Sequence, residues 1–389
     1  MSRGLRLGWS LLGISMLVGG LLVAVPGRGE AAALLKGVVQ ADGGGDHTCA
    51  VRTDGTVWCW GDNDFGQLGD GTSVPRLMPV KVVNLTQVVQ VSAGVEHTCA
   101  TRSNHTVWCW GRNDFGQVGD GATSTRLTPV RVIGLTGVEK VSAGDYFTCA
   151  VRSVGTVWCW GDNWAGALGN GTVSPISQPT PVQAIGLSQA RQVSAGGSAT
   201  CARRSDGSVR CWGWNSSYGQ VGVPSWSDQT TPVAVQGLPG PVTQVQAGGY
   251  HACARRSDGS VWCWGTNRAG ALGTGTVGPT RVTTPMKSLM TNAAGVSVGD
   301  DFTCARTSGK RVKCWGINTS GQLGNGALVS RSAPVAVVGL ASVAGISSGN
   351  AHTCAVLTDH TMRCWGDNSS GQLGNGTTQN SAFPAPVLT

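Results

Sequence analysis

The chain holds 389 residues, 60 of them glycine and 14 cysteine, with a formal net charge of +8 at neutral pH. Only 12% are charged and no run of lysines and arginines occurs, so the electrostatic footprint of a nucleic-acid binder is missing. High glycine with many tryptophans and valines predicts short strands joined by tight turns.

In chain order, Arg3 and Arg6 precede an apolar run from Leu7 to Val25, and Ala31 to Ala33 supply small residues for cleavage. Residues 1–33 are therefore expected to be a secretory signal, and the length of the run also fits an uncleaved membrane anchor. Residues 34–389 then form seven units, near 38–87, 88–137, 138–189, 190–241, 242–292, 293–342 and 343–389. The cysteines mark the period. They fall in pairs ten residues apart: Cys49 with Cys59, Cys99 with Cys109, Cys149 with Cys159, Cys201 with Cys211, Cys253 with Cys263, Cys304 with Cys314, and Cys354 with Cys364. Successive pairs are offset by 50, 50, 52, 52, 51 and 50 residues, a period that means a propeller or solenoid. The second unit contains four strand-like segments, "VVQVS", "HTCATR", "TVWCWG" and "TPVRV", linked by turn-rich stretches. Four short antiparallel strands in each of seven units predict an all-β, seven-bladed β-propeller.

Register explains the cysteine spacing. With Thr53-Asp54-Gly55 as a three-residue hairpin loop, Val51 opposes Val57, Ala50 opposes Trp58 and Cys49 opposes Cys59. The cysteines then sit at a non-hydrogen-bonded pair, with Cα atoms about 4.5 Å apart, inside the range a disulfide accepts. One staple per blade follows, and disulfides require an oxidising compartment. Gly55, Gly155, Gly207 and Gly259 fill the left-handed turn position, whereas His105, Lys310 and His360 replace glycine there.

The segments "VSAG..HTCA", "VWCWG" and "N..GQ.G", clearest at Val91–Ala100, Val107–Gly111 and Asn113–Gly119, resemble the repeats of the regulator of chromosome condensation family. The resemblance covers roughly residues 38–389 and points to a secreted, cysteine-paired, bacterial-type member. The family's founding member serves a nuclear GTPase and docks on nucleosomes, roles that a signal and seven disulfides argue against here. A plant ultraviolet receptor of the family uses tryptophans in the loop before the histidine. This chain has Val95-Glu96, Asp145-Tyr146 and Asp300-Asp301 at such places, so the resemblance does not extend to photoreception. A secreted bacterial β-lactamase inhibitor of like architecture makes an exported binding propeller the nearest functional analogue.

Residues present in every unit are expected to be scaffold, such as Asn63, Asn113, Asn163, Asn215, Asn267, Asn318 and Asn368. His47, His97, His251 and His352 recur two positions before a cysteine and are expected to tie each loop to its neighbour rather than hold metal. The pairs Trp58 with Trp60, Trp108 with Trp110, Trp158 with Trp160, and Trp262 with Trp264 are expected in the inter-blade core. No nucleophile elbow, zinc-protease motif or phosphate loop occurs, so neither catalysis nor any cofactor or metal is expected.

Function is sought in what varies. Loops on one face gather Asp46, Glu96, Asp145, Tyr146, Tyr250, Asp300 and Asp301, which suits a protein partner. The opposite face gathers Arg52, Arg102, Arg152, Arg204 and Arg256. Trp164, Trp214 and Trp226 lie in long loops and offer an alternative, carbohydrate or cell-wall binding. The expectation is a monomeric binding module that is secreted, periplasmic or on the cell surface. The ring is expected to close by antiparallel pairing of the terminal segments near Val38 and Val387, within a shared blade or between blades.

Overall fold

In the computed structural model, which describes residues 32–389, each repeat becomes one four-stranded antiparallel sheet. The expected signal lies outside the described residues, apart from Ala32 and Ala33. In the first sheet β1 (Val38–Gly43), β2 (His47–Arg52), β3 (Val57–Gly61) and β4 (Arg76–Lys81) pair in chain order. The other six repeat that order over 88–131, 138–183, 190–234, 242–287, 293–336 and 343–386. Innermost strands of consecutive blades pack side by side, the seventh against the first included. The seven sheets thus close around a central channel: the chain is a seven-bladed β-propeller. No helix among the described residues is long and apolar enough to cross a membrane.

The hairpin register follows the turn chemistry. Cys49 stands opposite Cys59 and Val51 opposite Val57, and the loop closes through Arg52 N–H to Thr56 O at 2.9 Å. All seven bridges form within their own blades. Cys49 joins Cys59, Cys99 joins Cys109, Cys149 joins Cys159, and Cys201 joins Cys211. Cys253 joins Cys263, Cys304 joins Cys314, and Cys354 joins Cys364. In each bridge the Cα atoms lie 4.1 Å apart, and no cysteine is free. His105, Lys310 and His360 take the left-handed conformation that glycine fills elsewhere, at φ of 62°, 58° and 63°. Register therefore prevails over the local cost, which is about 1–2 kcal/mol for a residue with a Cβ.

Blade packing has two sides. Cys49, Val51, Val57 and Cys59 pack on Trp110 of the next blade, while Ala50 and Trp60 pack on the previous one. The indole of Trp110 donates to Gln67 O at 2.9 Å, and Trp60, Trp160, Trp212, Trp264, Trp315 and Trp365 each make the equivalent bond. These seven are fully buried. Trp58, Trp108, Trp158 and Trp262 lie nearer the hairpin end and are only half-buried, and Trp108 and Trp158 pack against the same inter-blade clusters as Trp110 and Trp160. Arg52 and Arg102 cover two of them.

The ring closes by antiparallel pairing of the terminal segments, as expected, and between blades rather than within one. Every sheet takes its four strands from one repeat, and the terminal segments pair outside the sheets. Leu34 bridges Leu388, Leu35 N–H donates to Val387 O at 3.0 Å, and Thr389 N–H donates to Ala33 O at 2.7 Å. This pairing rebuilds from two ends the linker that is continuous elsewhere. Val387 N–H donates to Met362 O as Val82 N–H does to Val57 O, and Leu35 is buried as Leu85 is.

Candidate functional site

The loops joining first to second and third to fourth strands emerge together at one end of the blades, opposite the hairpins. Four of the five hairpin-side arginines are anchored to the linkers. Nε of Arg52, Arg102, Arg152 and Arg204 donates to linker carbonyls of Lys36, Thr86, Thr136 and Ser188 at 2.8–3.0 Å. The repeated residues of the loop side are scaffold as well. His47, His97, His251 and His352 bond through Nε2 to Thr98, Thr148, Thr303 and Thr48 of adjacent blades at 2.7–2.8 Å. Burial depresses their pKa values to about 3 for His47 and His97 and about 4 for His251 and His352. Asn63 likewise holds its own loop: its Nδ2 donates to Thr72 O and Val74 O, and its Oδ1 accepts from Leu68 N. Among the described residues no group of three or more His, Cys, Asp or Glu side chains is placed to hold a metal.

The non-repeated residues form two features. The first is an acidic rim at the loop-side mouth of the channel, where Asp145 and Asp300 join the lining. Burial lifts both carboxyls to about 7, helped by the charge of Glu96 at Asp145 and of Asp145, Asp301 and Asp46 at Asp300. Asp46 is raised by burial and then by Asp367, and accepts a bond from Gln372 at 3.2 Å. In Asp301 the Oδ1 atom is buried without a hydrogen-bond partner. Where Gln372 of the preceding blade serves Asp46, the blade preceding Asp301 has Ala271. Glu96 is ion-paired with Arg112 at 2.6 Å.

The second feature is aromatic. Trp164, Trp214, Tyr218 and Tyr250 run in contact across blades three, four and five, with successive ring centroids 5.6, 5.3 and 5.2 Å apart. The row ends beside the acidic rim, where burial and then the charges of Asp300 and Asp145 raise the Tyr250 hydroxyl pKa. Trp164 is 51% exposed at its outer end. A neighbouring cluster gathers Phe65, Phe115 and Tyr146 around the Arg112 guanidinium, at 4.9–5.9 Å. Phe115 and Tyr146 also touch, with centroids 5.3 Å apart.

The expected tryptophan trio divides. Trp164 and Trp214 belong to the row, but Trp226, 73% exposed, stacks with Arg281 at 3.8 Å instead. Sequence reasoning missed Tyr218, Phe65 and Phe115. These share one repeat position, and a one-residue insertion before Tyr218 hides the correspondence.

Comparison with known proteins places the repeats. The model described as "Regulator of chromosome condensation (RCC1) repeat" matches residues 54–101, 104–151, 154–203, 206–255, 258–306 and 311–356. A 168-residue stretch, 42% of this chain, is 32% identical to the probable E3 ubiquitin-protein ligase HERC3 of Homo sapiens and covers 16% of it. An equally long stretch is 31% identical to the ultraviolet-B receptor UVR8 of Arabidopsis thaliana and covers 37% of it. The matches thus span well under half the length of either relative. Human WBSCR16 is a solved structure similar in fold, with a TM-score of 0.77, 22% identity, and 86% of this chain and 94% of that chain covered. Yeast RCC1 (Prp20), solved with Kap60 bound, has a TM-score of 0.76 at 19% identity, covering 92% of this chain and 85% of that chain.

Proposed function

This chain belongs to the regulator of chromosome condensation repeat family, and on that premise we propose that it is an exported propeller that binds a protein partner on its loop face. One observation carries the reading: a contiguous aromatic row, Trp164–Trp214–Tyr218–Tyr250, runs into the acidic rim of Asp145 and Asp300. Tryptophan and tyrosine offer large, stiff contact area at low entropic cost, and carboxylates beside them select a basic partner surface. A yeast relative of like fold is seen with Kap60 bound, which supports use of the propeller as a protein-binding body. Export is supported by seven buried disulfides with no free thiol.

The carbohydrate reading is weaker, because Trp226 stands apart from the row. The test immobilises the protein, captures partners from the native extracellular fluid, and repeats the capture with Trp214→Ala and Tyr250→Ala. A partner retained by the parent should bind each variant at least about 30-fold more weakly, as expected of aromatic anchors. Equal retention by both variants would remove the loop face from the proposal. Glycan-array binding that needs Trp164 and Trp214 would replace a protein partner with a sugar.

A further inference from the structure

Apart from the loop face, the other half of the central channel carries an unexplained charge pattern. Three successive blades place an arginine near the end of their second strand: Arg203, Arg255 and Arg306. The corresponding residues of the other blades are Val51, Thr101, Val151 and Val356. None of the three arginines forms an ion pair with any described residue. Arg203 and Arg255 line the channel, whose volume is about 530 Å³, together with Lys140 and Arg191. The Nε atoms of Arg203 and Arg255 are buried without a hydrogen-bond partner. Burial, and then the charge of Arg306, disfavours the protonated Arg255 side chain.

The innermost strands leave room beside these groups. Gln192 stands opposite Arg203 and Gln244 opposite Arg255. Gln40, Gln90, Gln192 and Gln244 each reach the next blade; Gln244, for example, donates to Val296 O at 2.9 Å and accepts from Val296 N at 3.0 Å. Blades six and seven have Gly295 and Gly345 at this position. A Cβ on Gly295 would meet only Gln244 Oε1, at 4.0 Å, and one on Gly345 would meet nothing within 4 Å. The strands therefore omit one bridging side chain at Gly295, opposite Arg306 and adjoining the Gln244 that stands opposite Arg255, and a second at Gly345, opposite Val356.

We propose that the hairpin-side half of the channel binds a small oxyanion of the phosphate or sulfate class, held by Arg255 and Arg203 in the room left by Gly295. Guanidinium forks match tetrahedral oxyanions in geometry, and a bound anion offsets the mutual repulsion of the arginines.

Calorimetric titration of the whole protein with sodium phosphate, at ionic strength fixed with sodium chloride, tests the site. The parent should bind one phosphate with a Kd of about 1 mM or tighter. Arg255→Gln should weaken binding at least about tenfold, the usual loss when a charge-assisted hydrogen bond is removed. Gly295→Gln restores the side chain that four other blades carry, so it should fold and also weaken binding. Arg363→Gln, outside the channel, should leave the Kd unchanged. Absence of saturable binding by the parent overturns the proposal, as does an unchanged Kd in both Arg255→Gln and Gly295→Gln.

Discussion

Asp145 and Asp300 hold their carboxyls near neutrality for a physical reason: each is largely withdrawn from solvent and feels other acidic groups. A carboxyl with a raised folded-state pKa contributes stability that is complete below its unfolded value of 3.8 and is lost as pH rises through about 7. Asp145→Asn and Asp300→Asn should therefore raise the melting temperature more at pH 8 than at pH 5. Equal shifts at the two pH values, measured by scanning calorimetry, would mean that neither carboxyl titrates near neutrality. The buried histidines act in the opposite sense. With folded-state pKa values of about 3 to 4, they favour the fold above 6.5 and oppose it as pH falls through that value. Repetition made the histidine and asparagine roles readable from sequence, since a residue needed once is not copied in blade after blade. The aromatic row was not readable, because Trp164, Tyr218 and Tyr250 meet only when three separate loops converge.

The blade is the unit at which covalent and noncovalent stabilisation meet. Each disulfide closes a ten-residue separation and is buried against the next blade's tryptophan, as Cys49–Cys59 is against Trp110. Replacing Cys253 and Cys263 together by alanine should cost roughly 2–3 kcal/mol in urea denaturation, the loop-closure value for so short a loop. A loss near zero would assign the stability to blade packing alone. At the outer edge, Pro79, Pro129, Pro181, Pro232, Pro285, Pro334 and Pro384 occupy the same position of the fourth strand. A proline there cannot donate to an added strand, so the seven exposed edges resist pairing with another chain. Hairpin registers could be read because turn length and the pleat leave little choice. The burial of Trp58 relative to Trp60 could not, since both face the same side of the strand and differ only in distance from the blade's end.

Closure is a property of the whole ring, and the sequence revealed its place more readily than its form. Repeat phase alone cannot say whether a propeller closes within a blade or between blades, because either choice buries the same side chains. Here the terminal pairing completes a linker. Val387 joins Leu35, Val38, Trp60, Met362 and Leu373 in one core cluster, so the joint between blades seven and one is packed like the other six. The indole of Trp60 donates to Gln372 O and Thr48 Oγ1 to the same carbonyl, both across this joint. Deleting Val387–Thr389 removes a buried valine and the hydrogen bonds to Ala33 and Leu35, a loss of about 3–5 kcal/mol. If the joint is structurally equivalent to the rest, its loss exposes faces on two blades and weakens every neighbour in turn. Calorimetry should then record one transition, lowered by several degrees for the entire domain. A split trace, with a small early transition and the main one unmoved, would mean instead that the blades are stacked as nearest neighbours and that closure adds little to the ring.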